Sequence, residues 1–137
     1  DRARMFFHSS SYTGNPIACA AAVANLAIWE REPVLERIER IAAVHARRLP
    51  ALGERAEVSS VRHRGTIAAI DIAAATGGYL SDLGPRLYAF FMARGLLLRP
   101  LGNVVYLLPP YCTSNDELDG IYDVIEDSLA ALRDRSL

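Results

Sequence analysis

The segment at residues 95–111, GLLLRPLGNVVYLLPPY, constrains the fold more than any other part of the chain. Its two apolar runs, residues 96–98 and 104–108, flank a Leu-Gly-Asn turn signal and predict two strands joined as a tight hairpin. Arg99 lies between these runs, so we expect the strands to bury its guanidinium. A buried guanidinium cannot lose its proton and needs an anionic partner. That partner is an internal carboxylate or a ligand's carboxylate or phosphate, unless Arg99 extends past the strand end into water.

Tyr106 is the second candidate residue in this segment, seven positions after Arg99. In a hairpin, both side chains can face the same cleft. A buried tyrosine hydroxyl needs a hydrogen-bond partner. Tyr106 therefore either contributes to a ligand pocket or is a core residue tethered to a backbone carbonyl.

The composition limits which classes of function fit. The formal net charge is −1, which provides no overall attraction to nucleic acid or to an anionic membrane. We expect Cys19 and Cys112 to be buried, reduced thiols, and neither the cysteines nor the histidines show metal-ligand spacing. All 15 basic residues are arginines, so the chain has no lysine amine for a Schiff base. Imine chemistry would need a lysine from elsewhere.

Hydrophobic periodicity and capping signals predict an α+β fold, a small and mainly antiparallel sheet with helices on one face. Asn15 and Pro16 mark the start of the first helix, and Ser114 with Glu117 forms the capping-box pattern of the last one. We expect His45 to be an ordinary helix-face residue. The predicted helices span residues 16–31, 34–49, 80–94 and 114–132, and the predicted strands span residues 58–62, 66–72, 96–99 and 104–108.

The polar stretch HSSSYTGN, residues 8–15, leads directly into the first helix. Backbone N–H groups at a helix N-terminus favour an anion, and nearby hydroxyls add further donors. The alternative is a polar loop with ordinary helix capping. Both interpretations remain open from the residues alone.

Two stretches resemble one protein family. HSSSYTGNPIACAAA is similar to a loop and Ala-rich helix of the class III, fold-type I, pyridoxal-phosphate-dependent aminotransferases, and RHRGTIAAIDI resembles the strand pair of their small domain. The resemblance implies the C-terminal part of such an enzyme, which also agrees with a chain that begins at Asp1. It predicts that residues 1–32 end the large cofactor-binding domain and that residues 33–137 form the small domain.

The resemblance also implies roles for four residues. Ser11 falls where the family binds the cofactor phosphate, across the dimer interface, and Ser9 falls in the pocket wall at a position usually held by Gly. Arg99 falls on an arginine that binds a substrate carboxylate, and Tyr106 falls on a tyrosine of the same pocket. The implied protein is a cytoplasmic homodimer that uses pyridoxal 5'-phosphate, without a metal. The Schiff-base lysine is absent from this chain, so the chain alone is not expected to be active.

The run at residues 95–111 is closest to the branch of the family that acts in biotin synthesis. The implied reaction moves an amino group from S-adenosylmethionine to 8-amino-7-oxononanoate. One alternative is another class III enzyme, acting on ω-amino acids, ornithine or 4-aminobutyrate. A second alternative, if 137 residues are the whole native chain, is a non-catalytic α+β binding module.

Overall fold

The structure, a computed structural model, describes Arg4 and residues 13–73, 81–134 and 136–137. The chain divides into two compact units, Asp1–Val34 and Leu35–Leu137. The assignment of residues 1–32 to a large cofactor-binding domain stays a prediction. No helix in the described part of the chain combines the length and hydropathy needed to cross a membrane.

The first unit contains helix α1, Pro16–Arg31. The predicted N-cap is confirmed, because the Asn15 side chain accepts hydrogen bonds from the backbone N–H groups of Ile17 and Ala18. Pro16 suits the first helical position, where its missing N–H is not needed. None of the residues of α1 is buried. Cys19 is an exposed free thiol on this helix, and Cys112 is also exposed, so the prediction that both thiols are buried is wrong.

The second unit is a three-stranded antiparallel sheet with helices on one face, and this confirms the predicted fold class. The strands follow the order β1–β2–β3 across the sheet. The element bounds are α2 Val34–Gly53, β1 Val58–Arg64, β2 Ile67–Ile72, α3 Leu83–Met92, β3 Val104–Leu107 and α4 Asn115–Arg133.

The core lies between the helices and one face of the sheet. Every second residue of β2 and β3 enters it, namely Ala68, Ile70, Ile72, Val105 and Leu107. Because side chains alternate across a strand, the residues between them face the other side of the sheet. Tyr106, paired with Ala69, is one of those residues.

The predicted strand at residues 96–99 is not formed. These residues carry no strand pairing, and the only ladder contact in their neighbourhood among the described residues is an isolated bridge between Leu101 and Val104. The turn at Gly102 does form, with a φ of 61°. β3 pairs with β2 instead of with residues 96–99, because β2 offers a free edge and a shared buried face.

His45, on α2, is fully buried, and its prediction as an ordinary helix-face residue is wrong. Its Nε2 lies 3.1 Å from the carbonyl oxygen of Thr66 and its Nδ1 lies 2.7 Å from the hydroxyl of Tyr122 on α4. A carbonyl only accepts, so Nε2 carries the proton and the Tyr122 hydroxyl donates to Nδ1. Burial raises the pKa of Tyr122, which keeps this hydroxyl protonated as a donor.

Ion pairs at the surface also connect α2 to α4. Arg47 lies 2.7 Å from the carboxylate of Asp119, and Arg48 contacts Asp119 as well as Asp123 at 2.6 Å. Exposed pairs of this kind add about 0–1 kcal/mol each, so the buried contacts supply most of the stability of the α2–α4 interface.

Candidate functional site

Arg99 lies in the irregular segment between α3 and β3, and it is exposed. The prediction that two strands bury its guanidinium is therefore wrong, since the segment before it forms no strand and Leu97 is 76% exposed. Arg99 also has no hydrogen bond or ion pair with any residue that the structure describes. An internal carboxylate partner, one of the alternatives left open by the sequence, is thus not found within that part of the chain.

Arg99 and Tyr106 line the same surface cavity, of about 390 Å³. Residues 96–99 and 106–110 both line this cavity, although no ladder pairs the two segments. Tyr106 is half-buried, and its hydroxyl has no hydrogen-bond partner within the described residues. The rest of the lining is almost entirely apolar: Leu96, Leu97, Leu98, Leu107, Leu108, Pro109, Pro110, Thr113 and Ile121.

This lining suits a particular ligand chemistry. Small-molecule sites commonly combine apolar walls with a few polar groups that fix the ligand's orientation. Here the polar groups are the planar five-donor fork of Arg99 and the hydroxyl of Tyr106. An aliphatic chain that ends in a carboxylate matches both the walls and the donors.

A second charged group on the same face of the sheet is already paired. Arg62 on β1 lies 2.5 Å from a carboxylate oxygen of Asp71 on β2, and Ser60 also donates to that oxygen. The Arg62 contact holds the pKa of Asp71 below its ordinary value. Arg62 is thus engaged by a carboxylate of its own sheet, which leaves Arg99 as the better cation for an external anion.

The backbone around Arg99 is held by close contacts. A second cavity, of about 340 Å³, is also lined by Arg99 and includes Gly84 and Gly102 in its lining. A Cβ added at Gly84 would lie 3.1 Å from the carbonyl oxygen of Gly102, so α3 abuts the turn directly. The Asn103 side chain donates to the carbonyl of Ile72 at 2.8 Å, which fastens the other end of the turn to β2.

The sequence alone did not indicate Gly84 as a neighbour of this turn, because no local signal reports a contact between residues 18 positions apart. The double proline at 109–110 was a usable signal, since it ends β3 and redirects the chain along the cavity. Ser9 and Ser11, predicted for the pocket wall and for the cofactor phosphate, lie outside the described residues. The described residues contain no group of three or more His, Cys, Asp or Glu side chains that could hold a metal ion.

Pyridoxal phosphate needs two kinds of protein group, one for its aldehyde and one for its phosphate. Its aldehyde requires an amine, and the chain has no lysine. Its phosphate needs hydroxyl or N–H donors, but the backbone N–H groups at the start of α1 are already used, since Ile17 and Ala18 donate to the Asn15 side chain and Cys19 donates to the Asn15 carbonyl. Candidate phosphate donors are therefore the hydroxyls of the polar stretch at residues 8–15, and this chain offers no lysine for an imine.

Comparison with known proteins identifies the family. The family model for class-III aminotransferases matches residues 2–129. Curated relatives include the adenosylmethionine-8-amino-7-oxononanoate aminotransferases of Synechococcus elongatus, 46% identical over 90% of this chain, and of Helicobacter pylori, 35% identical over 90%. The chain spans only 29% and 30% of the lengths of these two relatives.

Solved structures agree with the family match. The adenosylmethionine-8-amino-7-oxononanoate aminotransferase of Methanocaldococcus jannaschii superposes with a TM-score of 0.81 and 29% identity, covering 94% of this chain and 31% of its own. The PMP-bound form of an aminotransferase from Vibrio fluvialis gives a TM-score of 0.82 and 25% identity, covering 99% of this chain and 31% of its own. On the strength of the family match and these structural similarities, the chain belongs to the class-III aminotransferase family.

Proposed function

We propose that the native polypeptide containing this chain transfers an amino group from S-adenosylmethionine to 8-amino-7-oxononanoate, giving 7,8-diaminononanoate for biotin synthesis. The relatives named for this activity, up to 46% identical over 90% of the chain, support this reaction over others of the family. The chain itself contributes to binding of the acceptor substrate.

The observation that carries the proposal is Arg99 at an apolar cavity, without a hydrogen bond or ion pair to any described residue. The acceptor is an aliphatic chain that ends in a carboxylate, and this carboxylate would pair with the guanidinium while the chain lies against leucine and proline side chains. Tyr106, on the same cavity, would donate its hydroxyl to the bound substrate. Ser9 would complete the pocket wall.

Pyridoxal 5'-phosphate is the proposed cofactor, and it supplies the electron sink for amino-group transfer. Ser11 would hold its phosphate, and a lysine outside this chain would hold its aldehyde. We further propose a cytoplasmic homodimer, in which Ser11 of one subunit reaches the site of the other. Two free, exposed thiols within the described residues support a reducing compartment.

The test replaces Arg99 by Ala in the native polypeptide. Loss of a charge-assisted pair with the acceptor carboxylate costs about 2–5 kcal/mol, which is roughly 30-fold or more in the KM for 8-amino-7-oxononanoate. The KM for S-adenosylmethionine should stay within about two-fold, because the proposed contact is with the acceptor alone.

Arg94→Ala is the matched control. Arg94 is also exposed and lies five positions earlier, but its guanidinium stacks on the Phe90 ring at 3.4 Å and lines neither cavity. It should leave both KM values unchanged. Equal acceptor KM values for Arg99→Ala and Arg94→Ala would reject the carboxylate-binding role.

A second candidate function is amino transfer within the ornithine group of the family. Its support is a structural match to the acetylornithine aminotransferase of Elizabethkingia anophelis, with a TM-score of 0.75 and 27% identity, over 93% of this chain and 33% of its own. Activity assays with S-adenosylmethionine, alanine and ornithine as donors separate the two. Turnover with ornithine and none with S-adenosylmethionine would replace the first proposal by the second.

A further inference from the structure

We propose that Arg40 is a positioning residue for the acceptor pocket: from α2, it holds the loop at residues 108–114 that forms one wall of the Arg99–Tyr106 cavity. This inference rests on the proposed function in one respect, the identity of the ligand in that cavity. The mechanical part, a guanidinium that fixes the loop, rests on contacts of the described residues alone.

Arg40 reaches the loop through several hydrogen bonds. Its guanidinium donates to the carbonyl oxygen of Thr113 at 2.7 Å and to the side-chain oxygen of Asn115 at 2.7 Å, with a longer contact of 3.5 Å to the carbonyl oxygen of Tyr111. These acceptors lie 71 to 75 residues from Arg40 in sequence. Arg40 forms no ion pair with a carboxylate in the described part of the chain, so its donors are used mainly for this loop.

The loop has little support of its own. Pro109 and Pro110 have no backbone N–H to donate, and the loop's own N–H groups make two hydrogen bonds within the described residues, from Thr113 to the carbonyl of Pro110 at 3.0 Å and from Ser114 to the carboxylate of Glu117 at 2.7 Å. β3 ends at Leu107, before the loop begins. The carbonyl at position 113 therefore depends on Arg40 for a strong, charge-assisted donor, and the carbonyl at position 111 receives a weaker contact from the same guanidinium.

The same loop forms part of the cavity wall. Leu108, Pro109, Pro110 and Thr113 line the cavity together with Arg99 and Tyr106. A shift of the loop would change the width of the cavity next to the guanidinium of Arg99. Arg40 thus acts on the acceptor through the loop, without touching it.

Arginine suits this task better than lysine would. Its planar fork directs separate N–H groups at acceptors in different directions, whereas an ammonium group is a compact point charge on a flexible stem. Arg40→Lys keeps the charge and the aliphatic stem but loses the fork. Arg40→Met removes the donors while retaining a side chain of similar length.

The control is Arg47→Met, on the same helix. Arg47 also connects α2 to α4, through Asp119 at 2.7 Å, but it forms no hydrogen bond with the loop and lines none of the cavity. A general effect of weakening the α2–α4 connection would appear in both variants. An effect on the loop would appear only at position 40.

The experiment measures two properties of the native polypeptide. The first is hydrogen exchange at the backbone N–H groups of residues 111–114, which reports the loop directly and needs no substrate. The second is the KM for 8-amino-7-oxononanoate, compared with kcat and with the KM for S-adenosylmethionine. A merely structural role would lower kcat and raise both KM values together, or would lower only the amount of folded enzyme.

We expect Arg40→Met to speed exchange at residues 111–114 and to raise the acceptor KM on the order of ten-fold, with kcat and the donor KM within about two-fold. Arg40→Lys should give a smaller change in the same direction, and Arg47→Met neither change. If Arg40→Met does not yield folded protein, Arg40→Lys carries the comparison.

Two results would overturn the inference. Unchanged exchange at residues 111–114 would show that Arg40 does not hold the loop, and faster exchange with an unchanged acceptor KM would show that the loop does not position the acceptor. Failure of the proposed function is a separate result. It would appear as no turnover of 8-amino-7-oxononanoate by the unsubstituted enzyme, and the acceptor that is used would then serve in the KM comparison.

Discussion

Removing the hydroxyl of Tyr122 tests whether the buried His45 pair stabilises the α2–α4 interface. In Tyr122→Phe the ring keeps its contacts, and the loss is a single hydrogen bond, 2.7 Å long, to Nδ1 of His45. The Thr66 carbonyl accepts the hydrogen bond from Nε2–H, so the proton stays on Nε2. In the variant, Nδ1 therefore remains an acceptor without a donor. A buried acceptor left without a donor costs about 1–3 kcal/mol.

Hydrogen exchange at the slowest backbone N–H groups of α2 and α4 provides the measurement, because it reports local opening of these two helices. The control is Tyr111→Phe. Tyr111 is half-buried against the same core, and its hydroxyl has no hydrogen-bond partner among the described residues. We expect a loss of about 0.5 kcal/mol or less there. Equal losses at the two positions would refute the assigned hydrogen bond.

The remaining predictions concern pH and helix ends. Burial lowers the pKa of His45 below its usual 6.5, so the unfolded chain binds a proton that the folded chain excludes. The free energy of unfolding should therefore be independent of this group above pH 6.5 and fall below it, by at most about 1.4 kcal/mol per pH unit, until the lowered pKa is passed. Equal exchange protection at about pH 7.5 and pH 5.5 would contradict this. Ser114→Ala should cost about 1 kcal/mol by removing the capping box of α4, measured as faster exchange in its first turn. A Cβ added at Gly120 meets no atom within 4 Å, so Gly120→Ala should stabilise α4 by about 0.5–1 kcal/mol. Gly84→Ala should bring no such gain, because its Cβ would contact Gly102. Equal shifts in melting temperature for the two variants would count against that contact.

Local signals predicted the elements whose causes are local. The Asn15 cap, the Ser114–Glu117 capping box and the turn at Gly102, where φ is 61°, all form where the sequence places them. Each depends on hydrogen bonds or backbone angles within about four residues, so the printed sequence contains the whole cause. The order of the helices and of three of the four predicted strands follows from the same kind of information.

The incorrect predictions share a physical reason. An apolar run such as residues 96–98 forms a strand only if a neighbouring strand has a free edge to pair with. In this fold, that edge of β2 is already paired with β3. His45 lies at a helix position that can face water or a core, and its partner Tyr122 is 77 residues away. Neither outcome can be read from the residues next to each position.

The candidate site also combines features that the sequence predicts with features that depend on the fold. Arg99 and Tyr106 could be named from the sequence because a charged and an aromatic residue stand out within apolar runs, and the class-III resemblance was confirmed by the family match. That Arg99 is exposed and has no partner among the described residues, and that Arg40 reaches the loop beside it, depends on contacts between distant segments.

The order of residues by itself determined the N-caps of α1 and α4, three of the strands and the family, since these depend on neighbours along the chain, whereas α2 continues past its predicted end at residue 49 to Gly53. Only the tertiary structure decided which strand β3 pairs with, which histidine is enclosed and which arginine faces a cavity. These outcomes depend on contacts between residues that are tens of positions apart in the sequence. No local sequence pattern specifies such contacts.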